Sequence, residues 1–159
     1  MITTDAAIPP LARPYQGKPA GPISRLLASS VDLVVVVAVL VAIYAGWATL
    51  RFLLRPAQFQ FPEPSNLLIA IAGFTVLTLY LTLGWTVTGR TYGDHLMGLR
   101  VVDRAGSTLH VPRALLRALL CAFFPIGLLW TAFNTRNLSV QDILVRSSVT
   151  YDWHIDPTR

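Results

Sequence analysis

Three charged residues stand where an apolar chain has least reason to keep them: Arg25, Asp32 and Asp142. Arg25 and Asp32 are seven positions apart, two helical turns, so they project from one helix face about 10 Å apart along its axis. Asp32 opens the run LVVVVAVLVAIYAGWATL. An ionised carboxylate there must face protein or water, pair with a base, or carry a proton. Two readings of the pair stay open, a polar site at the cytoplasmic end of a helix bundle or an ion pair that fixes register and orientation. Arg25 can also act as an interface anchor with its head among lipid phosphates. Asp142, within QDILV, can accept from Arg90, Arg100 or Arg25 if the tail folds back, or can cap the backbone of its own turn.

A second set is basic. GRTYGDHLMG carries glycines at 89, 93 and 98 with Arg90 and Arg100 nearby, and RALLRALL places Arg113 and Arg117 four apart on one face. The glycine spacing fits neither nucleotide-binding loop, and the phosphate at hand in a membrane is the lipid headgroup. Arg90, Arg100, Arg113 and Arg117 are therefore a candidate lipid-facing or anion-facing loop. Catalytic chemistry finds no footing. His95, His110 and His154 lack metal-ligand spacing, Cys121 stands alone in an apolar helix, and Ser29, Ser30 and Ser139 lack an activating motif. No enzyme activity, metal or cofactor is expected.

The elements that position these residues follow from composition. The chain has 159 residues, 53% of them hydrophobic, with a mean hydropathy of +0.55 and a net charge of +5. Its uncharged runs cover 18 residues at 33–50, 26 at 64–89 and 18 at 118–135. Eighteen helical residues rise about 27 Å, close to the hydrocarbon thickness of a bilayer. Soluble α/β enzymes, secreted disulfide scaffolds and disordered chains are excluded. The arginines flank apolar runs, so positive-inside placement explains them better than nucleic acid does, and no nucleic-acid partner is expected. One cysteine permits no intrachain disulfide. MITTDAAIPP lacks the basic region of a signal peptide, so the first helix is expected to remain as an anchor.

Residues 1–20 read as an extended, mobile arm rich in proline. A first membrane helix is expected over roughly 23–54, closed by Arg51 and Arg55, because a lone strand in lipid would leave its backbone unpaired. Prolines 56, 62 and 64 cut a short connection with Phe59 and Phe61 at headgroup level. A second helix runs from an N-cap at Ser65 or Asn66 to about Val87. Its threonines 75, 78, 82 and 86 share one face, where they meet another helix or bond the carbonyl one turn back. LRVVD and STLHV, flanking Arg104-Ala105-Gly106, read as a β-hairpin. A basic helix follows Pro112, interrupted at Pro125 and Gly127, and VQDILVRSSVTYDW reads as a helical turn and then a strand.

The third apolar run can cross once or bend at Pro125 and return. Crossing once divides the basic residues 8 against 5, and returning divides them 11 against 2, the better positive-inside pattern. A re-entrant path needs its broken backbone covered by protein. In the returning form SVTYDW shares a side with LRVVD and can pair with it.

The ordered set resembles the RDD family of small membrane proteins, named for an arginine and two aspartates. Arg25 and Asp32 in SRLLASSVDLVVV look like the arginine at the start of the family's first membrane helix and the aspartate within it. GRTYGDHLMGLRVVD at 89–103 is similar to the family's glycine-rich segment, and Asp142 looks like its second aspartate. Tyr92 stands where a proline is usual, Asp94-His95 where a basic pair is common, and Gln141 where a histidine precedes the aspartate. The resemblance covers 21–153, leaving 154–159 as a short tail. It implies an all-α membrane protein with two transmembrane helices, a third broken or re-entrant apolar helical segment and a small cytoplasmic β-hairpin or sheet. Expected is a multi-pass cell-membrane protein with a cytoplasmic N-terminus, in contact with lipid and with a second copy or another membrane protein. Transport of a small solute or ion, or assistance to a transporter, is the leading reading. A structural or adaptor role through the cytoplasmic face is the alternative. Arg25, Asp32 and Asp142 are expected to form or border one polar site.

Overall fold

The computed structural model describes residues 13–103, 106–124 and 139–153. Two long helices dominate it, α1 (Pro22–Leu54) and α2 (Asn66–Val87). Pro22 sits in the first turn of α1, where its missing amide costs nothing, and the Ser65 hydroxyl caps α2 by accepting from the Leu68 amide at 3.3 Å. The expected helix bounds therefore hold within a residue. Both helices are long and apolar enough to span a bilayer.

Each long helix turns only a narrow stripe inward. The buried positions near the head of α1, Arg25, Ala28, Asp32 and Val36, recur at three- and four-residue steps, and Thr78, Leu81, Thr82 and Trp85 do the same on α2. Val34, Leu53, Leu67 and Leu83 are among the large side chains left bare on the other faces. Thr82 and Thr86 donate to the carbonyls one turn back at 2.7 and 2.8 Å. At the far end Tyr44 donates to the Pro62 carbonyl at 3.0 Å, and Phe59 stacks edge to face between Phe52 and Phe61.

After α2 come a single-turn helix α3 (Tyr92–Leu96), strand β1 (Leu99–Asp103), helix α4 (Val111–Phe123), the short helix α5 (Val140–Val145) and strand β2 (Ser147–Tyr151). The strands form an antiparallel pair with Leu99 opposite Tyr151 and Val101 opposite Val149. Leu99, Val101 and Val149 turn one sheet face into the core, where Leu81, Trp85, Ala114 and Ala118 meet them. The packed core thus lies at one end of the long helices. Arg146 takes the left-handed conformation at the end of α5, φ 59°, and turns the chain directly into β2.

Two expectations need correction. LRVVD and STLHV do not form a hairpin; the partner of LRVVD is the C-terminal strand. On the other edge of β1 Val101 donates to the Gly89 carbonyl at 2.8 Å, so Ser107, the first residue of STLHV, turns back only far enough to accept from the Asp103 amide at 2.9 Å. Pro112 then starts α4 before a second strand can extend. Residues 13–20 also depart from a free arm. Arg13–Tyr15 make a 3-10 turn, and the amides of Gly17 and Ala20 donate to the Tyr151 and Val149 carbonyls, each at 2.8 Å, on the outer edge of β2. Residues 1–12, Arg104 and Ala105 of the expected turn, the Pro125–Gly127 bend and the tail from His154 lie outside the described residues.

Gly93 allows α3 to dock on α1. A Cβ there would lie 2.1 Å from the Ala28 carbonyl oxygen and 2.8 Å from Asp32 Oδ1, whereas one at Gly46 would meet nothing within 4 Å. Gly93→Ala is expected to destabilise the folded protein by about 3 kcal/mol, an overpacking effect against backbone that cannot move aside. Gly46→Ala is expected to be neutral or slightly stabilising. Thermal unfolding in detergent checks the pair, and equal melting temperatures would refute the docking account.

Candidate functional site at the head of the long helices

Asp142 is anchored first by its own helix. Ser139 and Asp142 form a reciprocal capping box, in which the Asp142 amide donates to Ser139 Oγ and the Ser139 amide to Asp142 Oδ2, each at 3.1 Å. The same carboxylate receives two guanidiniums. Arg25 Nη1 from α1 pairs with Oδ2, and Arg117 Nη1 from α4 lies 2.7 Å from Oδ1 and 2.7 Å from Ser147 Oγ. Asp142 is 1% exposed and the arginines 6% and 3%. Burial pushes its carboxyl up, but Arg117 and Arg25 outweigh that and hold it at about 2. Capping and ion pairing, the alternatives left open by the sequence, coexist on one side chain.

Asp32 is held by neutral donors. Tyr80 Oη from α2 donates to Oδ1 at 2.7 Å, the Gly93 amide donates to the same oxygen at 2.7 Å, and Thr91 Oγ1 donates to Oδ2 at 2.6 Å. Tyr80 in turn accepts from the Tyr92 amide at 3.0 Å. Thr91 and Asp94 make a second capping box around α3.

Trp85 joins the two acids' surroundings. Its Nε1 donates to Asp94 Oδ2 at 3.1 Å, and the Arg117 guanidinium lies 4.7 Å from its ring centroid, within cation–π range. Around it a cavity of about 240 Å³ opens between α1, α2, α4 and the sheet. Arg25, Asp32, Asp94 and Arg117 line it, together with Trp85 and Cys121. Leu33, Leu77 and Leu81 contribute apolar wall.

Among the residues singled out from sequence, Arg25 and Asp142 are in contact, and Arg25 and Asp32 border one cavity, with Asp142 behind the arginines. The basic set divides. Arg90 and Arg100 pair with Asp152 at 2.8 and 3.3 Å, and the half-exposed Arg113 lies 3.6 Å from Asp103. Arg117 is the exception and a correction, since its side chain is buried against Asp142 and Trp85 rather than turned toward lipid or an anion. Tyr80, Trp85, Thr91 and Asp94 join the site beyond the residues expected there. Thr91 and Asp94 carry a readable signal, the three-residue spacing of a capping box, and Ser139 with Asp142 repeats it.

A model of the RDD family matches residues 19–146, a span that includes Arg25, Asp32 and Asp142. The chain belongs to the RDD family. No curated protein and no solved structure matches it. Within the span that matches, Arg25 of this RDD protein is paired with Asp142, and Asp32 is enclosed by the glycine-rich segment after α2.

Asp142→Asn leaves two buried guanidiniums sharing a neutral partner, and breaking a buried pair in this way costs about 3–5 kcal/mol. The pH dependence has a definite sign. A carboxyl held below its unfolded value of 3.8 stabilises the fold above that value, and the contribution is lost as pH falls toward about 2. The gap in melting temperature between parent and Asp142→Asn should be constant from neutral pH to about 4 and close below it. A gap that widens on acidification would refute the ion-pair account.

Proposed function

We propose that this RDD protein is a multi-pass cell-membrane protein that acts in transport, binding a small solute in the cavity at the head of α1 and α2. The observation that carries the reading is the placement of Arg25, Asp32, Asp94 and Arg117 around one cavity beside two bilayer-length apolar helices. Ionisable groups at membrane depth persist where they face a pathway or a polar partner, and a cavity mixing a few polar groups with apolar wall is the usual form of a ligand site. The reading is transport or assistance to a transporter. One pair of long helices encloses no path. The active form is therefore an assembly, either several copies or a complex with another membrane protein, with lipid against the remaining faces.

In the same proposal the N-terminus and the β-sheet are cytoplasmic. The pairing of residues 99–103 with 147–151 supports a chain that returns after its third apolar segment, which leaves only Arg51 and Arg55 of the 13 basic residues on the outer side. A thiol reagent applied outside intact cells, in a Cys121→Ser background, should label Gln58→Cys and spare Ser107→Cys and Thr158→Cys. Labelling at 107 and 158 but not at 58 would invert the orientation, and labelling at 158 with 58 would establish a single crossing.

Function is tested in proteoliposomes given gradients of sodium, chloride, acetate, glycerol and leucine. At least one solute should move at least tenfold faster than through protein-free vesicles. Asp32→Asn should abolish that flux while the oligomer assembles normally, because an amide can keep both hydrogen bonds on Oδ1. Flux with none of them, together with a stable 1:1 complex with another membrane protein that Asp32→Asn leaves intact, would overturn transport in favour of the adaptor role.

A further inference from the structure

Two polar atoms at the cavity remain uncommitted. Arg117 is 3% exposed, and its Nε has no hydrogen-bond acceptor among the described residues, although its Nη1 serves Asp142 and Ser147. A buried N–H left in this way is destabilising until an acceptor is supplied. Asp94 is 8% exposed and takes both of its side-chain hydrogen bonds, from Trp85 Nε1 and from the Thr91 amide, on Oδ2. Among the described residues its Oδ1 is left without a donor. The two groups flank the same indole, Arg117 over its face and Asp94 at its nitrogen. The cavity therefore presents one donor and one anionic acceptor across Trp85.

Charge narrows the ligand further. Two guanidiniums and two carboxylates line the cavity, and Asp142 behind the arginines adds a third carboxylate. A simple anion meets no surplus positive charge, and a simple cation leaves Arg117 Nε without an acceptor. A zwitterion satisfies both ends, with its ammonium toward Asp94 and Asp32 and its carboxylate toward Arg117. Leu33, Leu77, Leu81 and Val149 supply an apolar wall for the rest of the molecule. A volume of about 240 Å³ equals about eight waters at ~30 Å³ each, room for a zwitterion with a branched aliphatic side chain. We infer that the cavity is a binding site for small zwitterions of the α-amino acid class with an aliphatic side chain. This rests on the reading of the cavity as a solute site and names the substrate class.

The test is equilibrium binding of radiolabelled leucine to the full-length protein in detergent, with isoamylamine and isocaproate as competitors that keep the tail and only one charge each. Leucine should compete at least tenfold better than either. It should also slow maleimide modification of Cys121, the single cysteine and part of the cavity wall. Asp94→Asn is the discriminating variant. Its carbonyl can keep the bonds from Thr91 and Trp85 while the amide nitrogen replaces Oδ1, so the melting temperature should hold and leucine binding should fall at least tenfold. Leucine binding no better than that of both analogues, or unchanged in Asp94→Asn, would overturn the inference. Flux of another solute in proteoliposomes without leucine binding would sink this assignment alone, whereas leucine binding without any flux would keep the site and sink transport.

Discussion

One buried carboxylate holds the molecule together. Asp142 receives Arg25 from the first long helix and Arg117 from α4 while it caps α5, so three helices distant in sequence converge on two oxygens. Arg25 and Asp142 are 117 residues apart. Removing charges of this kind from water costs several kcal/mol each, and mutual attraction offsets that cost only when the remaining donors also find partners. Here Ser139 and Ser147 bond the carboxylate and Arg25 Nε reaches the Ala20 carbonyl at 3.3 Å, while Arg117 Nε has no acceptor among the described residues. The sheet depends on the same point. β2 begins at Ser147, beside the ion pairs, and its pairing with β1 closes the core against α2 and α4.

Asp32 solves a different problem at the same depth. Neutral donors stabilise its charge less than a guanidinium would, and they reach it only because α3 approaches closely. Gly93 permits that approach and at the same time supplies one of the donors. Tyr80 contributes an apolar ring suited to a membrane helix and a hydroxyl suited to the carboxylate. The two aspartates therefore differ in kind. Asp142 is locked between opposite charges, and Asp32 sits in a hydrogen-bonded cup that an incoming polar group can share.

Much of this architecture was legible in the residues. The long helices announce themselves because uncharged runs of bilayer length have one stable backbone form in lipid, and Pro22 and Ser65 mark where they start. The strand character of LRVVD and SVTYDW was also readable. The competition for the edges of β1 was not, since the Gly89 carbonyl on one edge and β2 on the other arrive there through tertiary structure. Arg113 and Arg117 show the limit of periodicity. Four-residue spacing puts them on one face, yet Arg113 in the first turn reaches outward, while Arg117, one turn deeper, meets Trp85 and Asp142. Helical spacing specifies a direction, and what lies in that direction is set by another helix.

The two short helices carry the last constraint. α3 has five residues and α5 six, far too few for a helix to persist on its own in water. Each exists because a capping acid is also anchored from outside, Asp94 by Trp85 and Asp142 by the arginines. The groups that shape the cavity are therefore the groups that nucleate the segments around it, and the local fold cannot form without the site. An alanine at either acid removes a cap, an anchor and a charge in or directly behind the cavity, so loss of activity in such a variant carries no information about chemistry. An asparagine retains the carbonyl that accepts from the backbone and changes only the charge and the second oxygen. For Asp94 that second oxygen faces no partner among the described residues, and for Asp142 it faces Arg117. The same substitution thus probes ligand binding at one acid and folding at the other.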